Sequence, residues 1–402
     1  MKWPVPRADL PPALRFVATC LACAAGGPVA PVRRALPHVA EDWPAVLAAA
    51  GRHRVDVAVA VALRRADWTF VPAAIREALT RTERAASLRA LSQTAETERL
   101  SQALEAAAIP FFTVKGPPLG LLLFDSATVR QSKDIDIVVD PDAVDAATAV
   151  LRALRYEPTD QEAHFTPRQR RAFRSIERHS TFRSLNRGAP VELHWQLNAD
   201  NLFDFDVKAA WKLRTPVRIG NGAVPVLPPE TLLLYLACHG AGHAWFRLKW
   251  LIDIAAILRR WDDAAIRAGW DMAVAEGLQS VLGSAFLLAR DVLDAPVPPD
   301  IEAYAEADPA GRRLTAVACR AMVEDDMRRL SPHFWWSSFH LRPDWSYRTR
   351  HALRSLYAPN DWTRFPLPDA LFPLYFLMRP FTWLGRGGLG EPVVRRAGNA
   401  EG

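Results

Sequence analysis

The stretch Asp134-Ile-Asp-Ile-Val-Val139 constrains the fold more than any other part of the chain. Side chains alternate along a strand, so Ile135, Ile137 and Val139 share one face and Asp134 and Asp136 the other. The two carboxylates then stand about 7 Å apart on a rigid element. Like charges held this way are costly unless a cation sits between them. Mg2+ suits that place, because it takes oxygen ligands, commonly one or two carboxylates plus phosphate oxygens. A strand of this kind needs a sheet around it, and Asp-x-Asp alone, common on surfaces, does not specify a site.

Three neighbours extend the pattern. Val191-Glu192-Leu193-His194-Trp195 is a second alternating strand, with Glu192 and His194 on the face opposite Val191, Leu193 and Trp195. Glu192 is thus a candidate third carboxylate, as metal ligand or as base for an attacking hydroxyl. Lys115-Gly116 closes a short β-rich run, Phe111–Lys115, before a helix over 117–124. Glycine lets a phosphate approach the backbone there, and a helix start offers N–H groups and positive dipole. Arg130, Ser132 and Lys133 precede the carboxylate strand, where cations and a hydroxyl can meet phosphate oxygens. The lysines stand out against the composition. Lys and Arg total 50, yet only six are lysines, among them Lys115, Lys133 and Lys249. The net charge of +6 permits an anionic partner without specifying one.

The remaining chain organises around this centre as an α+β protein: a mixed sheet flanked by N-terminal and C-terminal helical regions. Four units are expected. Residues 1–108 read as helical, with Leu88, Leu91, Leu100 and Leu104 as one apolar stripe along 72–108. Residues 109–227 form the mixed α/β unit. Its later strands are expected at 175–184, 190–197, 216–219 and 223–227, the last two joined at Asn221-Gly222. Residues 228–300 are helical after Pro228-Pro229, and 301–402 are helical to irregular with a loose tail. The aromatic group His333-Phe-Trp-Trp336, Phe339 and Trp345 is expected in the core. Gly385-x-Gly387-x-x-Gly390 follows no strand and is not read as a dinucleotide site. The stretch 16–25 faintly resembles a secretory leader but is short and preceded by Asp9 and prolines. No run is apolar enough to span a bilayer; 367–384 is broken by charges and prolines. Four cysteines cannot frame a chain this long and are expected as buried reduced thiols. The expectation is a cytoplasmic protein.

Val114-Lys-Gly-Pro-Pro-Leu, then Arg130-Gln-Ser-Lys-Asp-Ile-Asp-Ile, then Glu192-Leu-His-Trp resembles the bacterial uncharacterised nucleotidyltransferase family, within the superfamily that has the polymerase-β-type palm. The similarity continues in His239-Gly-Ala-Gly-His243-Ala-Trp245-Phe-Arg-Leu-Lys249-Trp-Leu-Ile-Asp253 and covers roughly 40–300. Members occur beside genes for exopolysaccharide and lasso-peptide biosynthesis. The resemblance implies a nucleotidyltransferase palm over 109–227, with 228–300 completing a nucleotide cleft. It implies two Mg2+ ions, with Mn2+ as a substitute, held by Asp134, Asp136 and Glu192. An NTP would be bound by Lys115, Gly116, Arg130, Ser132, His239, His243 and Lys249. A nucleotide monophosphate would pass to a sugar, peptide, protein or RNA acceptor with release of pyrophosphate. The common Gly-Ser or Gly-Gly of the superfamily is Lys115-Gly116-Pro117 here.

Two other readings share these residues: a toxin-like enzyme modifying tRNA, and a degenerate palm that binds nucleotide without catalysis. His239 and His243, at i and i+4, also have zinc spacing, but position 240 is glycine rather than the glutamate of His-Glu-x-x-His. Asp253, four residues after Lys249, is expected to hold Lys249 or the histidines. The acceptor, the nucleotide and the oligomeric state are not legible.

Overall fold

A seven-stranded mixed sheet carries the centre of the chain, with helices before and after it. The computed structural model describes residues 10–384 apart from 40–41, 160–161, 163–164, 187, 199–201, 325–331, 355 and 357–358. The triad at 385–390 and the tail lie outside the described residues.

Five helices precede the sheet: α1 (Pro12–Ala24), α2 (Ala30–Ala35), α3 (Trp43–His53), α4 (Asp56–Ala66) and the 34-residue α5 (Ala73–Ala106). The apolar stripe expected on α5 is corrected. Leu100 and Leu104 are buried, but Leu88 and Leu91 are 70% and 67% exposed. The reason is helical phase: nine residues separate Leu91 from Leu100, two and a half turns, which places them on opposite sides. The buried face instead runs Leu79, Ala86, Ala90, Gln93, Thr97, Leu100, Leu104, at spacings of three, four and seven.

The strands are β1 (Phe111–Thr113), β2 (Ile135–Val139), β3 (Tyr156–Pro158), β4 (His179–Ser184), β5 (Val191–His194), β6 (Thr215–Ile219) and β7 (Gly222–Val226). Their spatial order is β3-β4-β5-β2-β1-β7-β6. The pairs β2–β5 and β1–β7 are parallel; the others are antiparallel. Between strands lie α6 (Gly116–Phe124), α7 (Val144–Ala153), α8 (Pro167–Ile176) and α9 (Val207–Ala210). The strand expected from Ser175 begins at His179, because α8 occupies 167–176. That helix opens with a capping box: Thr166 accepts from the Gln169 N–H while Gln169 accepts from the Thr166 N–H, and Pro167 stands in the first turn. The edge strand β3 was not anticipated; it is three residues long and ends in proline.

Among the described residues ten α-helices follow: α10 (Pro229–Gly242), α11 (Leu248–Arg260), α12 (Asp263–Ala275), α13 (Gln279–Leu293), α14 (Pro299–Ala307), α15 (Pro309–Val323), α16 (Pro332–Phe339), α17 (Trp345–Arg354), α18 (Pro359–Arg364) and α19 (Leu374–Leu384). None of the described helices is long and apolar enough to cross a membrane.

The sheet lies between two apolar cores. Ile135, Ile137 and Val139 of β2 pack with Val191, Leu193 and Trp195, with α7 and α8, and with Trp362, Phe372 and Tyr375 from the C-terminal region. Phe112, Val114 and Val138 face the other way, into a core shared by α1, α4, α10, α11 and α13. Alternation along the strands therefore holds with both faces covered, which is why every residue of β2 is buried. Part of the aromatic group expected in the core is corrected: Trp336 and Trp345 are 59% and 74% exposed and Phe339 is half-buried, while the side chains of residues 333–335 lie outside the described ones; Leu377 and Phe381 of α19 are also exposed. The four cysteines are buried and form no disulfide.

Candidate functional site

Strand register brings the chemistry together. Asp136 is paired with Glu192 across the parallel β2–β5 ladder, and Glu192 with Thr181 across the antiparallel β5–β4 ladder. One row further, Val138 pairs with His194, and His194 with His179. These residues share the face that looks toward α10 and α11. Asp134 stands at the lip of β2, one residue before its start. Asp136, Glu192 and His194 are 2%, 6% and 2% exposed.

Buried carboxylates need partners. Asp136 Oδ1 accepts from Lys115 Nζ at 2.9 Å, and His194 Nε2 stands 3.2 Å from the same oxygen. Its Oδ2 is buried without a hydrogen-bond partner. Burial alone would raise the Asp136 pKa, but Lys115 and His194 hold it well below the ordinary carboxylate range. Glu192 is likewise pushed up by burial, yet the bond to His194 and the charges of His179 and His194 bring it down to about 2. Asp134 goes the other way. Burial and then the charges of Asp136 and Glu192 raise it, against the pull of Lys115 and the hydroxyl of Ser132. Three carboxylates thus converge, and burial together with the charges of the other two makes Asp134 hold its proton more tightly.

The supports are local. Ser132 Oγ donates to the backbone oxygen and to Oδ1 of Asp134, at 3.0 and 3.1 Å, and Gln93 of α5 donates to the Ser132 carbonyl. Gly116, at φ +72°, occupies the left-handed region that favours glycine and turns the chain from β1 into α6. The phosphate cradle expected at this helix start is narrower than supposed. A helix start leaves four backbone donors open, but Pro117 and Pro118 have none, leaving the N–H groups of Lys115 and Gly116.

The other expected nucleotide contacts divide. Arg130 is buried and donates to Asp253 Oδ2 at 2.8 Å, so it fastens the Arg-x-Ser-x-Asp-x-Asp segment to α11. Asp253 therefore serves Arg130, not the Lys249 or histidine partners expected of it. Burial raises the Asp253 pKa and Arg130 opposes it. Lys249 is partly buried, and burial followed by the charges of Arg130 and Arg54 lowers it to about 7. His239 and His243 make edge-to-face contact at 4.7 Å, and His243 stacks on Trp250 at 4.7 Å and 10°. Burial and Lys115 hold the His239 imidazole well below its ordinary pKa, so it is neutral. The glycine at 240 has a packing reason: a Cβ there would lie 2.3 Å from the Trp245 ring.

Two residues escaped the sequence reading. His179 reaches the site because β4 begins there, and the misplaced strand start hid its pairing with His194. Arg178, just before it, has its charge felt by both Lys115 and His239, against the net rise of the former and with the fall of the latter, which puts it at the site. Among the described residues, the His/Cys/Asp/Glu group with metal-ligand spacing is His179, Glu192 and His194, not the histidines of α10.

The donor set at Asp134, Asp136 and Glu192 is all oxygen and includes the unpartnered Asp136 Oδ2, which fits a hard divalent cation. In comparisons with known proteins, a family model described as "Uncharacterised nucleotidyltransferase" matches residues 40–294. No curated protein matches the chain.

Proposed function

The chain belongs to the uncharacterised nucleotidyltransferase family, and from that premise we propose that it transfers a nucleotide monophosphate from an NTP to an acceptor hydroxyl, with Mg2+ as cofactor. The observation that carries this reading is the row Asp136–Glu192 in register on neighbouring strands, with Asp134 at its lip and its pKa raised by burial and by the two other carboxylates. Asp134, Asp136 and Glu192 would hold Mg2+, which would supply charge neutralisation for the transferred phosphoryl group.

The chain's own residues divide the remaining work. Asp134 and Asp136 hold the ions, Asp134 set by Ser132 and Asp136 by the β2–β5 ladder. Glu192, kept ionised by its histidine neighbours, suits ligation better than proton uptake, since an effective base has a pKa nearer the working pH. Lys115, Lys249 and Arg178 supply positive charge for the triphosphate. Gly116 admits it to the backbone. Arg130 acts at one remove, by anchoring the loop that carries Ser132. The His239–His243–Trp250 stack offers aromatic surface for the base. The acceptor oxygen bonds to the α-phosphorus, the α–β bridging bond breaks, pyrophosphate leaves with the electron pair, and the hydroxyl proton passes to water.

The test uses purified protein, labelled NTPs, Mg2+ and candidate sugar, peptide, protein and RNA acceptors. Pyrophosphate release is expected from the wild type and to fall by a factor of about 1,000 or more in Asp134→Ala and Asp136→Ala. Unchanged release in both variants would falsify the assignment.

A further inference from the structure

We infer that His179, Glu192 and His194 form a nitrogen-containing binding site for a divalent transition metal, of the Mn2+, Co2+ or Zn2+ class. This goes beyond the all-oxygen Mg2+ reading and rests on it only in sharing Glu192.

The geometry is that of ligands around one point. His179 Nε2 stands 3.7 Å from Glu192 Oε2, and His194 Nε2 stands 3.5 Å from the same oxygen. All the offered ligand atoms lie within 4.8 Å of one another. The longer distance exceeds a hydrogen bond. Two ligands about 2.0–2.2 Å from one ion at tetrahedral angles stand about 3.3–3.6 Å apart. The two nitrogen–oxygen spacings are close to that separation, and the two imidazole donors lie within 4.8 Å of each other.

Placement is rigid. His179 and His194 are cross-strand partners on one sheet face, with ring centroids 4.7 Å apart and planes at 30°. Glu192 precedes His194 by two residues on β5 and so projects from the same side. His194 and Glu192 are buried, while His179 is half-buried at the more open rim. Asp136 Oδ1, 3.2 Å from His194 Nε2, is a fourth oxygen at the edge of the group. Two imidazoles and a carboxylate are the donor set of first-row transition metals, whereas Mg2+ avoids nitrogen.

The experiment is direct binding to the full chain after chelator treatment. Co2+ titration is expected to give one saturable site per chain with visible absorption of a nitrogen-ligated ion. Mn2+ at the same site is expected to show nitrogen couplings in pulsed electron paramagnetic resonance. Affinity for Co2+ should exceed that for Mg2+ by at least about tenfold. It should drop by about tenfold or more in His179→Asn and His194→Ala, with circular dichroism confirming the fold. His179→Asn at the rim decides the matter where His194→Ala does not fold, and the nitrogen couplings need no variant. Absence of saturable Co2+ binding, absence of nitrogen couplings, or displacement of Co2+ by an equal concentration of Mg2+ would overturn the inference.

The two readings fail separately. Nucleotidyl transfer with Mg2+ but without Co2+ binding sinks this inference and leaves the function standing. Co2+ bound through the histidines without any transfer does the reverse. Asp134→Ala, which touches none of the three ligands, is expected to lose transfer and keep Co2+.

Discussion

Lys249 shows how a single residue can be unfavourable for the fold and useful to the site. Its ammonium is partly buried, and the charges of Arg130 and Arg54 add to the penalty, so it is half-protonated at about pH 7. The unfolded value is 10.5, which sets the sign. Between about 7 and 10.5 the unfolded chain binds the extra proton, so wild-type stability rises with pH through that window. Lys249→Met is expected to remove this dependence and to stabilise the nucleotide-free protein by about 1–3 kcal/mol at pH 7, as an ill-solvated amine is replaced by an apolar chain. The same variant should bind ATP about tenfold more weakly, having lost a charged contact. Denaturant melts at pH 7 and 9, with ATP titrations beside them, check both effects. Equal stability and equal affinity would remove Lys249 from the site.

At the scale of elements, α5 gives the sharpest contrast between composition and phase. Leu91 and Leu100 are both leucines on one helix, yet the first is 67% exposed and the second fully buried. Leu100→Ala is expected to cost about 2–5 kcal/mol and Leu91→Ala to stay within about 0.5 kcal/mol, measured by chemical denaturation. Similar losses at both positions would contradict the packing. The same element shows why part of the fold was legible and part was not. β2 and β5 could be read because polar and apolar residues alternate along Asp134–Ile137 and Val191–Trp195, and the carboxylates of Asp134, Asp136 and Glu192 came with the strands. The leucines of α5 misled because apolar type was counted without angle, while the buried face is completed by Ala86, Ala90, Gln93 and Thr97. The start of α8 was written in the sequence as Thr166-Pro167 followed by Gln169, a capping signature, and overlooking it moved the strand start and concealed His179. The Arg130–Asp253 pair joins residues 123 positions apart and has no local trace.

Across the whole molecule, the N-terminal helices are tied to the second half of the chain by two neighbouring residues at the end of α3. Arg52 donates to the carbonyls of Ala321, Met322 and Val323, and also to that of Glu324, at the end of α15, where a cation meets the negative end of the helix dipole. His53 Nδ1 accepts the N–H of Leu248, the first residue of α11. Burial, followed by the charge of Arg52, lowers the His53 pKa to about 3 from 6.5. The sign follows: in this window the unfolded chain binds a proton that the folded chain refuses. Stability present above 6.5 is therefore lost as pH falls toward 3, at up to about 1.4 kcal/mol per pH unit. His53→Gln is expected to flatten that slope in melts between pH 6.5 and 4.5; parallel curves for the two proteins would dissociate His53 from the acid response.

The contact between Lys115 Nζ and Asp136 Oδ1 has a consequence for the order of events at the site. Oδ1 serves the internal ammonium while Oδ2 is unpartnered, so under the proposed function a divalent ion at Oδ2 would draw charge from the carboxylate and loosen its hold on Lys115. The loosened ammonium would then turn to a triphosphate. Metal and nucleotide would assist each other through this shared intermediary, and by reciprocity each would raise the affinity of the other by the same factor. Until both arrive, the lysine serves as a built-in counter-ion, keeping a buried carboxylate charged and ready.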